Sequence, residues 1–142
     1  MILSSRKTFL VTCLGLFLLF MQGSLLAHHS FAMFDHTRTI TLKGSVTKFQ
    51  WANPHAYLEL DVPGSNGAAK HFSIELTSIN MLQRAGWRSN MIKAGEHVTA
   101  IVAPMVNGDP AGLLLELTLA NGTKLDPGVP AAGSFKRTPE QE

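Results

Sequence analysis

Cysteine is nearly missing from this chain, since Cys13 is the only one among 142 residues. Cys13 lies in an apolar N-terminal segment that we expect to be removed on export. Without it, the chain has no disulfide, no zinc–thiolate site and no cysteine nucleophile. Thr12 before Cys13 fits a lipoprotein processing site poorly, so we expect no lipid anchor there.

The chain also has no large excess of positive or negative residues. The chain has 12 Lys and Arg against 10 Asp and Glu, and Arg6 and Lys7 lie in the segment expected to be removed. The mature chain would then be balanced apart from its histidines. A clustered positive surface, which nucleic-acid binding needs, is not indicated. We therefore expect no nucleic-acid partner.

No apolar run is long enough to cross a bilayer comfortably. Residues 8–20 form an apolar stretch of thirteen residues, whereas a spanning helix takes roughly 20. This stretch follows a basic pair and precedes a short segment ending in Ala27, which is typical of a secretory signal over residues 1–27. For a cut after Ala27, Leu25 occupies position −3 and is larger than the small residue usual there. Two alternatives therefore remain: cleavage one residue earlier, and an uncleaved membrane anchor. After cleavage we expect no membrane association.

Four segments follow from composition and apolar spacing. After the signal, residues 28–36 form a histidine-rich arm in which Phe31 and Phe34 are too apolar for a free tail, so we expect them to be buried. Residues 37–125 carry the strand patterns and form one domain. Residues 126–142 include three prolines and two glycines without apolar periodicity, which predicts a flexible tail.

Alternating apolar residues predict a mainly β domain. The segment 39–51 changes phase near Gly44–Lys48, which indicates a bulged or bent strand. Segments 55–62 and 70–76 alternate cleanly around a turn at 63–67. A short helix with the apolar stripe Ile79, Leu82 and Ala85 then begins after Ser78 and ends at Gly86.

Two more strands follow, over 98–102 and over the alternating leucines of 113–119. The order β-β-β-α-β-β predicts a small five-stranded OB-like Greek-key barrel with one short helix between strands 3 and 4. A generic β-sandwich is the alternative.

The second and third strands should form a hairpin with one polar face. A turn centred on 65–67 pairs Asp61 with His71, Glu59 with Ser73, and Tyr57 with Glu75. The polar face then holds His55, Tyr57, Glu59, His71 and Glu75. In OB-type folds this region usually binds the ligand, whereas a plain solvated sheet face is the simpler interpretation.

The motif Trp51-Ala-Asn-Pro-His55 breaks the chain before the second strand. The stiff turn places His55 at the mouth of that strand, beside Trp51. A histidine held there could bind a ligand or metal, or only stabilise the turn. We take Trp51, His55, Tyr57 and Glu75 as the candidate ligand-binding residues.

His28 and His29 are the strongest candidates for metal ligands. Cleavage after Ala27 makes His28 N-terminal, so its amine and imidazole chelate one ion, with a third nitrogen from His29 or His55. Cleavage one residue earlier makes His29 the third residue of the mature chain. The terminal amine, two backbone amides and the His29 imidazole then form a square-planar metal site. Both arrangements suit Cu(II), and Zn(II) is less favoured. Met33, Asp35 and His36 are possible further ligands; the alternative is a disordered arm without metal.

Six motifs occur along this chain: His28–Asp35, Leu42–Phe49, Trp51–Ala56, Arg84–Trp87, Lys93–Val98 and the Asn-Gly-Thr-Lys run ending at Lys124. Together they resemble a family of short exported proteins from Gram-negative bacteria that is catalogued as a domain of unknown function. The resemblance spans residues 28–125 and implies a small periplasmic β-barrel domain, with no activity to carry over.

No recognised catalytic pattern is present: Ser73 and Ser78 lack a glycine-flanked elbow, and Glu59 and Glu75 have no evident pocket. We expect a periplasmic, non-enzymatic binding protein that takes Cu(II) or Zn(II) as its ligand through the N-terminal histidines. The alternative is a metal-free small-molecule or protein-binding module that uses the face of strands 2 and 3.

Overall fold

The computed structural model describes residues 31–129 and Phe135. Every element below lies in the unit of residues 33–142. No helix in the described part is long and apolar enough to span a membrane. The elements are β1 (Ile40–Gln50), β2 (Tyr57–Pro63), β3 (Ala69–Glu75), α1 (Ile79–Arg84), β4 (His97–Pro104), β5 (Ala111–Leu119) and β6 (Lys124–Leu125).

The first five strands close into a barrel. Their hydrogen-bonded order is β3-β2-β1-β4-β5, and β3 also pairs with β5. The β3–β5 pairing is parallel and the others are antiparallel. The predicted OB-like Greek-key barrel, with its helix between strands 3 and 4, is confirmed. The short β6 adds to the outer edge of β5.

The predicted bend in β1 is present and lets this strand serve two neighbours. Its first half pairs with β4 and its second half with β2, with a register shift between Val46 and Lys48. Gly44 is buried where β1 crosses β2, and a Cβ there would lie 2.5 Å from the carbonyl oxygen of Asp61. Glycine is therefore needed for the close approach of the two backbones.

The apolar sides of the strands fill the barrel, and Trp87 seals it beside the helix. Trp87 is fully buried, and its Nε1 donates to the carbonyl oxygen of Asp126 at 2.7 Å. Ser78 caps the helix by accepting a bond from the Met81 amide. Of the predicted helical stripe, Leu82 is buried but Ala85 is exposed, because a helix of six residues presents one turn to the core.

A second apolar cluster lies on the outer side of β4 and β5. A register shift opposite Leu115 breaks the alternation of β5, so Leu114 and Leu117 face the barrel core. The expectation of strictly alternating leucines is therefore wrong. The second cluster consists of Phe34, Ala103, Leu113, Leu115, Val129 and Phe135.

Both chain ends of the domain contribute to this cluster. Phe34 is buried as predicted and forms a β-bridge with Met105, whereas Phe31 is exposed, contrary to expectation. Val129 and Phe135 are buried, and the ring of His36 stacks on Phe135 at 4.2 Å between centroids. These described residues of the segment predicted as a flexible tail are therefore packed, because the outer leucines of β5 need an apolar cover.

Gly44→Ala should destabilise the domain, because the added Cβ would collide with the backbone of β2. We expect a loss of about 1–3 kcal/mol in the free energy of unfolding, measured by urea denaturation. Thr41→Ala, at an exposed position on the same strand, is the matched control and should cost less than about 1 kcal/mol. Equal losses in the two variants would contradict this account of the β1 bend.

Candidate functional site

The β2–β3 hairpin has the register predicted from its sequence. Tyr57 pairs with Glu75, Glu59 with Ser73, and Asp61 with His71. Leu58, Leu60 and Ile74 between them are fully buried. The polar partners therefore share the outer face, which is held rigidly because its other side is part of the barrel core.

His55, Tyr57 and Glu75 meet at one end of this face, and we call them the His55 cluster. His55 Nδ1 lies 2.5 Å from Glu75 Oε1, and the Tyr57 hydroxyl donates to Glu75 Oε2 at 3.3 Å. An ionised carboxylate can only accept, so Nδ1 carries the proton and the lone pair of a neutral ring falls on Nε2. The His55 side chain is 32% exposed and Glu75 is 16% exposed, so the imidazole is partly accessible from solvent.

His71 lies between two carboxylates farther along the same face. Its Nδ1 is 2.8 Å from Asp61 Oδ1 and its Nε2 is 3.1 Å from Glu59 Oε2. The other oxygen of Glu59 accepts a bond of 3.0 Å from the Ser73 hydroxyl. These bonds, led by that from Asp61, raise the pKa of His71 above its usual value. Both ring nitrogens are engaged, so His71 is a structural partner rather than an open ligand.

Desolvation and the nearby Glu75 carboxylate raise the pKa of the Tyr57 phenol. Tyr57 therefore acts as a hydrogen-bond donor at neutral pH. It holds Glu75 from the side opposite His55, which makes Tyr57 a positioning group for the carboxylate.

Trp51 is separate from this cluster in its packing. It packs against the barrel core, and its ring meets that of Phe49 edge-on at 5.6 Å between centroids. The sequence predicts Trp51 as a ligand-binding residue beside His55, and this stays a prediction. The ring contacts of Trp51 in the described part of the chain are apolar.

The N-terminal metal ligands proposed from the sequence, His28 and His29, lie outside the described residues. Within 31–129 and at Phe135, no three His, Cys, Asp or Glu side chains are grouped as a metal site. The oxygens of Asp35 accept bonds from Thr37 and Arg38, which also lower the pKa of that carboxyl, the Thr37 hydroxyl most strongly. Asp35 therefore stabilises a turn at the start of the domain.

Sequence reasoning did not single out His97. Its Nδ1 lies 3.2 Å from the hydroxyl of Ser45 on the neighbouring strand. The one sequence feature that could have indicated His97 is its outward-facing position just before the buried Val98. A single histidine at the start of a strand does not reveal its cross-strand partner.

The strand pairings define an OB-like β-barrel protein. The chain belongs to the Family of unknown function (DUF6152), whose model matches residues 17–115. Comparison with curated proteins gives no match.

Among solved structures, the chain is similar to the mitochondrial single-stranded DNA binding protein Rim1 of S. cerevisiae. The identity is 9% and the TM-score 0.43, over 61% of this chain and 95% of that one. The OB-like assignment itself comes from the strand order and the β3–β5 closure.

His71→Ala should destabilise the domain more at acidic than at alkaline pH. Because the folded state raises the pKa of His71, the stabilising effect of its ion pairs is complete below the ordinary histidine pKa of 6.5 and is lost as pH rises through the pKa of the folded state. Urea denaturation at several pH values, with an NMR titration of the imidazole, measures this. In an Asp61→Asn background the pKa should fall and the pH dependence should shrink; an unchanged pKa would contradict the assignment.

Proposed function

We propose that this chain is an exported, periplasmic, non-enzymatic binding protein. In this proposal Cu(II), or less favourably Zn(II), is taken by the N-terminal histidines His28 and His29, and His55 is the metal ligand supplied by the barrel. The geometry of His55 is the observation that supports the proposal most directly. The signal-like segment 1–27 supports export.

Metal-binding histidines usually donate their second ring nitrogen to a carboxylate, which fixes the tautomer and makes the other nitrogen a better donor. His55 has this arrangement, with Nδ1 on Glu75. Glu75 is in turn held by Tyr57. The ring of His55, which lies in the loop just before β2, is thus oriented by Glu75 on β3. A ligand nitrogen that is pre-oriented in this way binds without large ordering costs.

The choice of copper rests on the donors at the mature N-terminus. An amine, an imidazole and either a second imidazole or backbone amides provide nitrogen donors in a plane, and Cu(II) has the highest affinity of the divalent ions for such sites. Each nitrogen must lose its proton before it binds, so uptake should weaken on acidification.

A Cu(II) titration of the processed protein, followed by calorimetry and EPR, tests the proposal after intact mass has located the cut site. We expect tight one-to-one binding that is lost when Gly-Ser-Gly-Ser precedes His28, because four added residues leave neither His28 nor His29 in the first or third position from the amine. The double variant His28→Ala/His29→Ala should likewise abolish tight uptake. Weak, non-stoichiometric binding by native and extended protein alike would reject the metal function.

The part played by His55 is tested separately. His55→Ala should lower Cu(II) affinity, and Glu75→Gln should lower it by roughly 10-fold or more, since outer-shell partners typically contribute 10–100-fold. His97→Ala is the matched control, because His97 contacts a serine hydroxyl instead of a carboxylate. Equal affinities in the His55, Glu75 and His97 variants would remove His55 from the metal site.

A metal-free binding module on the β2–β3 face is the second candidate. It is favoured by the bonded arrangement of this face, where Glu59 and Glu75 each hold two partners. Such pre-oriented carboxylates suit a small polar ligand or a partner protein. The two candidates are distinguishable, because His28→Ala and His29→Ala would leave this binding intact, whereas Glu75→Gln would weaken it.

A further inference from the structure

A groove of about 540 Å³ lies on the outer face of β1 and β4, away from the His55 cluster. Its lining runs from Pro63 at the end of β2 to Ala120 and Gly122 after β5. A smaller depression of about 330 Å³ adjoins it and shares His97, Leu119 and Ala120 with it. The lining of the smaller depression includes the Glu96 carboxylate, so the larger groove is the one that suits an anion. The proposed metal-binding function does not use this groove.

The polar side of the groove is a row of hydrogen-bond donors. Lys43 pairs with Thr99, and Thr99 pairs with Thr118 on the next strand. The residues flanking them in each strand are mostly buried, so these three side chains point outward into the groove. No ion pair or hydrogen bond engages the Lys43 ammonium within the described residues, which leaves one positive charge beside two hydroxyl groups.

A second row contributes Ser45 and His97. Their side chains bond to each other through His97 Nδ1 at 3.2 Å, so Nε2 of His97 is directed elsewhere. The acidic residue in this lining, Asp61, has its Oδ1 bonded to Nδ1 of His71 at 2.8 Å. The positive partner of Asp61 therefore lies on the hairpin, and Lys43 keeps its charge for an incoming group.

The β5 end of the groove has an apolar wall. Leu119 and Ala120 line it, with Val98 beside them, whereas Pro63 lies at the other end, on β2. A ligand that fits this groove needs an anionic group for the row of Lys43, Thr99 and Thr118 and a short apolar body for the wall at the β5 end. Concave sites with a few placed polar groups and an apolar lining are the usual form of small-molecule sites.

We propose that this groove binds a small organic acid, with its carboxylate on Lys43 and the hydroxyls of Thr99 and Thr118, and its short aliphatic body on Leu119 and Ala120. Charge complementarity selects the carboxylate, because Lys43 is the groove's cation without a protein partner among the described residues. The apolar wall selects a body of a few carbons over a bare anion.

Hexanoate, acetate and 1-hexanol are the probes, titrated to millimolar concentrations into the processed, ¹⁵N-labelled protein while amide shifts are followed by NMR. Hexanoate should shift the amides of Lys43, Thr99 and Thr118 in a saturable way, and acetate and hexanol should bind more weakly. Lys43→Gln should weaken hexanoate binding by about tenfold, the usual effect of one charge-assisted hydrogen bond. Thr99→Val, which keeps the shape and removes the hydroxyl, should weaken it by a smaller factor.

Lys93→Gln is the matched control, because it removes the same charge from an exposed position that lines neither depression. It should leave hexanoate binding unchanged. The proposal is overturned if hexanoate causes no saturable shifts in the groove, if Lys93→Gln weakens binding as much as Lys43→Gln, or if hexanol binds as well as hexanoate. Retained amide spectra of the variants show that each is folded, so a loss of binding is not a loss of structure.

Discussion

The bend of β1 is the constraint on which the rest of this structure depends. One strand of 11 residues pairs with β4 through its first half and with β2 through its second half. It can do so because Gly44 allows the backbones of β1 and β2 to touch and because the register shifts before Lys48. With β1 bent in this way, the sheet curls far enough for β3 to meet β5 and close the barrel.

Closure separates two chemistries along β2 and β3. Their apolar residues meet inside the barrel, and their polar residues are brought into fixed cross-strand pairs outside. Partly exposed ion pairs of this kind add little to stability. Their effect here is geometric, since Glu75 sets the ring of His55, and Asp61 with Glu59 sets the ring of His71. This is why we connect the face with binding instead of with folding.

The second apolar cluster shows how the barrel organises the residues around it. The register shift in β5 turns Leu113 and Leu115 outward, where they would otherwise expose a large apolar surface. Phe34 from one end of the domain and Phe135 from the other cover them. The outer face of β4 and β5 thus holds residues from both ends of the domain. The His55 cluster and the groove lined by Lys43 lie on other parts of the barrel surface.

Local pattern by itself determined much of this protein. Period-two alternation determined the hairpin register down to the pair Tyr57–Glu75, and the phase change located the bend of β1 within Gly44–Lys48. Ser78 and Gly86 marked the two ends of the helix. Each of these features depends on residues close in sequence. Tertiary structure alone decided the rest. Four features depend on strands that are distant in sequence: the bulge at Leu115, the packing of Phe135, the ring contacts of Trp51 and the row from Lys43 to Thr118. The approach of those strands is set by barrel closure and not by any local preference.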